Sequence, residues 1–225
     1  MDEGRTRGFK TKVFQAFAKV AKALANARRL ELLDLLTQCE RTVEELAWET
    51  GMSVANTSQH LQAMRNAGLV EVRREGVYGY YRLADEGVYR AVQAIRDLAE
   101  GRVPELERAV ASYRSDRDAD TVSADELVEL LRSSNVIVLD VRPGDEYRAG
   151  HIAGARSLPL PRLEPSLHEV PGGSEIVAYS RGRYCVFADE AVTILRAHGY
   201  AARRLRDGLP DWRAAGLPVA TGGEG

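Results

Sequence analysis

The apolar run Ile176-Val177-Ala178-Tyr179 passes through Ser180-Arg181-Gly182-Arg183 into a helical stretch near 184–198. A strand that reaches a helix through so short a loop belongs to a sheet covered by helices. Such a loop aims consecutive backbone N–H groups at one point, at the positive end of a helix dipole. A sulfur or oxygen atom held there has its negative charge stabilised. The stretch therefore limits both the fold of this part of the chain and the kind of ligand it can take.

The flanking sequence implies two modules. A chain of 225 residues suffices for one large domain or two ordinary ones. No apolar run approaches the roughly 20 residues of a membrane span. The start, Met1-Asp2-Glu3-Gly4-Arg5, lacks the apolar core of a signal peptide. Two cysteines make no disulfide framework, so a cytoplasmic location and no membrane partner are expected. The net charge of −2 excludes a generally basic nucleic-acid protein. Residues 1–118 carry +1 and residues 119–225 carry −3, so a nucleic-acid surface has to be a local patch in the first half.

Residues 8–115 read mostly as helix. Phe9, Val13, Phe14, Phe17, Val20, Ala21 and Leu24 recur at helical spacing, and Leu30, Leu32, Leu33, Leu35 and Leu36 mark a second helix. Thr42 with Glu45 is a capping-box signature, and Gly51 ends that helix. Ser53 caps the next, which Gly68 stops. Residues 69–74 and 78–83 alternate as a hairpin, and a long helix is expected near 86–114. The polar stretch 112–120 reads as a linker. After it, strands at 136–141, 176–179 and 202–205 alternate with helices near 123–132, 184–198 and 209–214, an α/β pattern.

Helix, tight turn, helix and hairpin is the order of a winged helix-turn-helix. Its second helix carries Asn56, Thr57, Ser58, Gln59, His60, Gln62 and Arg65 after Ser53, side chains suited to base edges and phosphates. Arg73, Arg74 and Arg82 on the hairpin are placed to reach phosphate or the minor groove. The run 53–70, followed by Arg-Glu-Gly and Tyr-Tyr-Arg-Leu, strongly resembles the ArsR family of transcription repressors over about residues 8–110. The resemblance implies a homodimer paired through residues 9–24 and 86–110, and hence a palindromic double-stranded DNA operator. Many members bind metals through a Cys-x-Cys motif before the recognition helix. The matching stretch Arg41-Thr42-Val43-Glu44-Glu45-Leu46-Ala47 has no cysteine, so no metal site is expected. Cys39, in a turn before the helix that Thr42 opens, reads as a surface or half-buried thiol.

Leu139-Asp140-Val141-Arg142, Glu146-Tyr147, Gly150-His151-Ile152-Ala153-Gly154-Ala155 and Gly208-Leu209-Pro210-Asp211-Trp212 flank the loop at 180. Together they closely resemble a rhodanese (sulfurtransferase) domain over about residues 121–220. In that family the first loop position is the cysteine that carries a persulfide, and here that position is Ser180. An oxygen cannot store sulfane sulfur, so turnover through position 180 is not expected. Cys185 is the candidate reactive thiol, near a helix N-terminus with Arg181 and Arg183 beside it. Arg181, Gly182, Arg183, Tyr184, Cys185 and Val186 form the expected anion-binding loop. Asp140, Arg142, His151 and Trp212 are expected to serve the fold, Asp140 and Arg142 as an ion pair bracing the loop and Trp212 buried beside the sheet.

The expected protein is thus multidomain. A mainly α winged helix-turn-helix domain (1–111) and a linker (112–120) precede an α/β rhodanese-like domain with a mostly parallel sheet (121–220) and a flexible tail (221–225). Its expected function is a DNA-binding repressor whose second domain senses a reactive sulfur species or oxyanion, without a cofactor. The alternative is an active sulfurtransferase with an autoregulatory DNA-binding domain.

Overall fold

A computed structural model describes residues 3–114, 121–133 and 136–223. The chain divides into two compact units, Met1–Arg102 and Val103–Gly225. The division falls ahead of the linker expected at 112–120. Of that linker, residues 112–114 end a helix and residues 115–120 lie outside the described residues.

The first unit runs α1 (Glu3–Leu24), α2 (Ala27–Leu36), α3 (Val43–Thr50), α4 (Val54–Asn66), β1 (Val70–Glu75), β2 (Tyr78–Leu83) and α5 (Glu86–Arg102). Local chemistry sets the turn between α3 and α4. Thr42 Oγ1 accepts from the Glu45 N–H at 3.3 Å, and the Glu45 carboxylate accepts from the Thr42 N–H at 2.7 Å. Gly51 closes α3 at φ +63°, a left-handed conformation that glycine adopts without a Cβ clash. Ser53 Oγ then accepts from the Asn56 N–H at 3.3 Å and opens α4. Leu32, Leu33 and Leu36 of α2 pack with Leu46 of α3, Leu61 and Met64 of α4, and Val88 and Val92 of α5. β1 and β2 form an antiparallel hairpin in which Val70 faces Leu83 and Arg73 faces Tyr80. Arg41 and Tyr81 exchange backbone hydrogen bonds at 3.0 and 2.7 Å, which adds the segment before α3 to the hairpin edge.

The second unit contains α6 (Pro104–Arg114), β3 (Thr121–Val122), α7 (Ala124–Ser133), β4 (Val136–Asp140), α8 (Gly144–Ala149), β5 (His151–Ile152), β6 (Arg156–Ser157), α9 (Leu160–Leu163), β7 (Glu175–Tyr179), α10 (Phe187–Ala197), β8 (Ala202–Leu205), α11 (Leu209–Ala214) and β9 (Val219–Ala220). Five strands form a parallel sheet in the order β3-β8-β7-β4-β6, while β5 and β9 pair antiparallel apart from it. Alternation along central β7 fills two cores. Ile176 and Ala178 join Ala191, Val192 and Leu195 of α10 on one face. Val177 and Tyr179 join Leu209 and Trp212 of α11 on the other.

Two expectations need correction. The single helix expected over 86–114 is two, because Pro104 pushes Val103 out of the helical region. The helix expected from 184 begins at Phe187, and Val186 is its N-cap. In the tail, the Gly222 N–H donates to the Arg148 carbonyl at 2.8 Å, so residue 222 is tied to α8. Residues 224–225 lie outside the described residues.

Candidate functional site

The capped start of α4 divides that helix by face. Asn56, Ser58, Gln59, Gln62 and Arg65 are exposed, and His60 is half-buried. Thr57, Leu61 and Met64 are fully buried at i, i+4 and i+7. The expectation of Thr57 as a DNA contact is therefore corrected. Its hydroxyl donates to the Ser53 carbonyl at 3.1 Å inside the unit. Asn56 Nδ2 contacts Met52 Sδ at 3.7 Å, and Gln62 Nε2 donates to Asn66 Oδ1 at 2.8 Å.

The hairpin arginines do not all present bare cations. Arg73 Nε donates to Glu40 Oε2 at 3.2 Å and Nη1 to Glu75 Oε2 at 2.6 Å, while Nη2 bonds the second Glu40 oxygen. The guanidinium also lies 4.9 Å from the Tyr80 ring centroid. The Arg73 hydrogen bond holds the Glu40 carboxyl below its usual range, and Glu40 and Glu75 raise the Arg73 guanidinium. Arg82 Nη2 pairs with Glu71 at 2.9 Å. Arg73 and Arg82, both expected to reach phosphate, are thus already bonded to carboxylates. Arg74 is exposed.

In the second unit, Ser180 follows β7 at the carboxyl end of the central strand and is buried. Open parallel sheets hold ligands at that end. The next residues turn tightly, and the Cys185 N–H donates to the Gly182 carbonyl at 3.1 Å. Cys185 is half-buried and precedes the α10 cap, Tyr184 is exposed, and Gly182, Arg183 and Val186 are half-buried. Arg181 is buried rather than open to an anion. Its Nε and Nη2 donate to Glu146 Oε1 at 2.8 and 2.6 Å, and its guanidinium lies 5.3 Å from the Phe187 ring centroid. Its side-chain charge is thus already bonded to a carboxylate. Arg183 Nε and Nη2 donate to Asp207 Oδ1 at 3.1 and 2.8 Å.

A buried polar net holds this loop. Arg142 Nε donates to Asp140 Oδ1 at 2.9 Å, and Nη2 donates to the Gly150 carbonyl at 2.7 Å. Arg142 Nη1 lies 3.9 Å from Glu146 Oε2, so the net reaches Arg181 through Glu146. The Tyr179 hydroxyl donates to Asp140 and accepts from the Ile152 N–H at 3.1 Å. Burial, with the Asp140 charge behind it, pushes the Tyr179 hydroxyl well up, so it stays a donor. The expected Asp140–Arg142 brace is present, and Trp212 is buried with Nε1 donating to the Pro218 carbonyl at 2.9 Å. Asp207 and Glu40 carry no motif in the sequence, and Glu146 enters there only within the Glu146-Tyr147 motif. Gly208 was quoted only as part of a motif, yet a Cβ on it would lie 2.3 Å from the Arg181 carbonyl oxygen.

Among the described residues, no group of three or more His, Cys, Asp or Glu side chains could hold a metal, and no helix is long and apolar enough to cross a membrane. The bacterial regulatory protein arsR family matches residues 26–72, and the rhodanese-like domain family matches residues 123–215. The HTH-type transcriptional regulator Rv0324 of Mycobacterium tuberculosis is 44% identical over 213 residues, 95% of this chain and 94% of its own. The regulator KmtR of the same organism is 40% identical over 74 residues, 33% of this chain and 57% of its own. A solved fragment of Mb0332 from Mycobacterium bovis, described as a homodimeric winged helix-turn-helix DNA-binding domain, is 44% identical. It covers 46% of this chain and 90% of its own, with a TM-score of 0.41.

Proposed function

Because the chain belongs to the ArsR family of transcriptional regulators and carries a rhodanese-like domain behind its winged helix-turn-helix, we propose that it is a dimeric repressor that senses reactive sulfur. The exposed face of α4 carries this reading. Asn56, Ser58, Gln59, Gln62 and Arg65 stay in water while Leu61 and Met64 anchor the helix in the core. Together with the hairpin, they meet a double-stranded operator, α4 entering the major groove.

Dimerisation is supported by apolar side chains left in water. Phe9 and Phe14 are each 67% exposed and Phe17 63%, all on α1, and Leu98 of α5 is 64% exposed. A two-fold pair of such units reads a palindrome. The sensing step is assigned to Cys185. Its thiolate attacks the sulfane sulfur of a persulfide or polysulfide, forming one S–S bond as the donor's breaks. The donor leaves as a thiolate or a shorter polysulfide, and Cys185 is left as Cys–S–S⁻. The charged outer sulfur forms two residues from Arg183, which is bonded to Asp207, and it alters operator affinity only if one protein state favours it over another.

The test is the intact mass of the full-length protein after polysulfide, read beside operator binding. Wild type is expected to gain about 32 Da, one sulfur on the persulfide branch, and Cys185→Ala to gain none. Operator affinity should change several-fold in wild type and stay fixed in Cys185→Ala. An adduct that appears only in Ser180→Cys sinks the sensor and leaves a repressor with a silent sulfur loop. Gln59→Ala with His60→Ala should weaken operator binding, and unchanged binding sinks the α4 assignment.

A further inference from the structure

Successive residues of a strand face opposite sides, so adjacent Arg73 and Arg74 leave the hairpin in opposite directions. The strand register fixes both rows. Glu71, Arg73 and Glu75 stand across from Arg82, Tyr80 and Tyr78. Val70, Val72 and Arg74 stand across from Leu83, Tyr81 and Gly79.

The first row is electrically closed. With Glu40 it holds three carboxylates and two guanidiniums, and both guanidiniums are bonded to carboxylates. For Arg73 to reach a DNA phosphate, it would have to leave Glu40 and Glu75. The exchange swaps one anionic partner for another and strands two carboxylates beside a polyanion, so little is gained.

The second row differs. Val70, Tyr81 and Leu83 belong to the core formed with α2, α3, α4 and α5, and β1 packs against α4. Arg74 ends this row near the turn, on the same side of the hairpin. Its cross-strand neighbour Gly79 has no side chain to pair with it. Among the described residues Arg74 makes no ion pair.

We propose that Arg74 is the wing's contact to the DNA backbone, while Arg73 and Arg82 are internal braces held off the DNA by Glu40, Glu75 and Glu71. The assignment rests on the reading of α4 and the hairpin as the DNA interface.

Full-length protein is titrated with a mixed-sequence duplex over a range of KCl concentrations. This probe needs no known operator, because non-specific binding is dominated by phosphate neutralisation. Each phosphate contact contributes about 0.9 to the slope of log affinity against log salt. Arg74→Ala removes one contact per protomer, so for the dimer the slope is expected to flatten by about 1.8, or about 12-fold in affinity over a fourfold change in salt. Arg73→Ala and Arg82→Ala are expected to keep the wild-type slope, and either serves if the other fails to fold. A wild-type slope in Arg74→Ala, or a flattened one in either brace variant, overturns the assignment. Wild-type protein that shows no salt-dependent binding overturns both the assignment and the reading of α4 beneath it.

Discussion

Gly208 shows how little room the loop at 180–186 has. Its φ of −110° is open to any residue, so backbone freedom does not require glycine there. Space does, since an added methyl would sit 2.3 Å from the Arg181 carbonyl oxygen and 2.6 Å from the Gly182 nitrogen. Both neighbours are backbone, and Arg181 is anchored by Glu146, so the loop has to move as a piece. Gly208→Ala is expected to cost about 1–3 kcal/mol, the range for forcing a group into packed space. It should also change the rate at which a small maleimide reacts with Cys185. Urea unfolding and the alkylation rate check the two parts, and wild-type values in both would mean the approach is not tight in solution. The brace between Asp140 and Arg142 could be anticipated because both residues sit in one tripeptide at a strand end. The Arg181–Glu146 and Arg183–Asp207 pairs join residues 35 and 24 positions apart. Only the folded topology brings them together, so no local pattern announces them.

Among the elements, the two-stranded hairpin is tied to the segment before α3, because an isolated bridge joins Arg41 to Tyr81 and an ion pair joins Glu40 to Arg73. The Glu40 carboxyl is depressed below its ordinary value of 4.5 by the Arg73 hydrogen bond. A depressed acid contributes stability that is complete above its unfolded value and is lost as pH falls through the folded one. Wild type should therefore exceed Glu40→Gln in stability at neutral pH, and the gap should close as pH falls below the ordinary carboxyl value of 4.5. The pair is partly exposed, which keeps the gap under about 1 kcal/mol and sensitive to salt. A gap unchanged on acidification would show that the pair contributes nothing in solution. The caps of α3 and α4 were legible because Thr42, Glu45, Gly51 and Ser53 act within a few residues of one another. Thr57 was misread although it shares a stripe with Leu61 and Met64, since its polar identity masked its position. Strands such as β3 and β6 are two residues long, too short for alternation to register.

For the whole molecule, the proposed dimer places its contact on the apolar surface of α1. Phe14 and Phe17 meet edge to face with centroids 5.8 Å apart, yet both remain largely in water within one chain. Burying a phenylalanine side chain gains about 1.5–3 kcal/mol, and a two-fold interface collects that gain from both copies. A carboxylate at residue 17 would forfeit the gain and place two like charges near the dimer axis. Phe17→Glu is accordingly expected to sediment as a monomer at concentrations where wild type is a dimer, with α4 still folded on its own core. Operator binding should fall far more than binding to a single half-site, because the second half-site contact becomes a separate bimolecular event. A dimeric Phe17→Glu protein would place the dimer contact elsewhere. A monomer with undiminished operator affinity would mean that one copy suffices for recognition, and the palindrome would lose its physical basis.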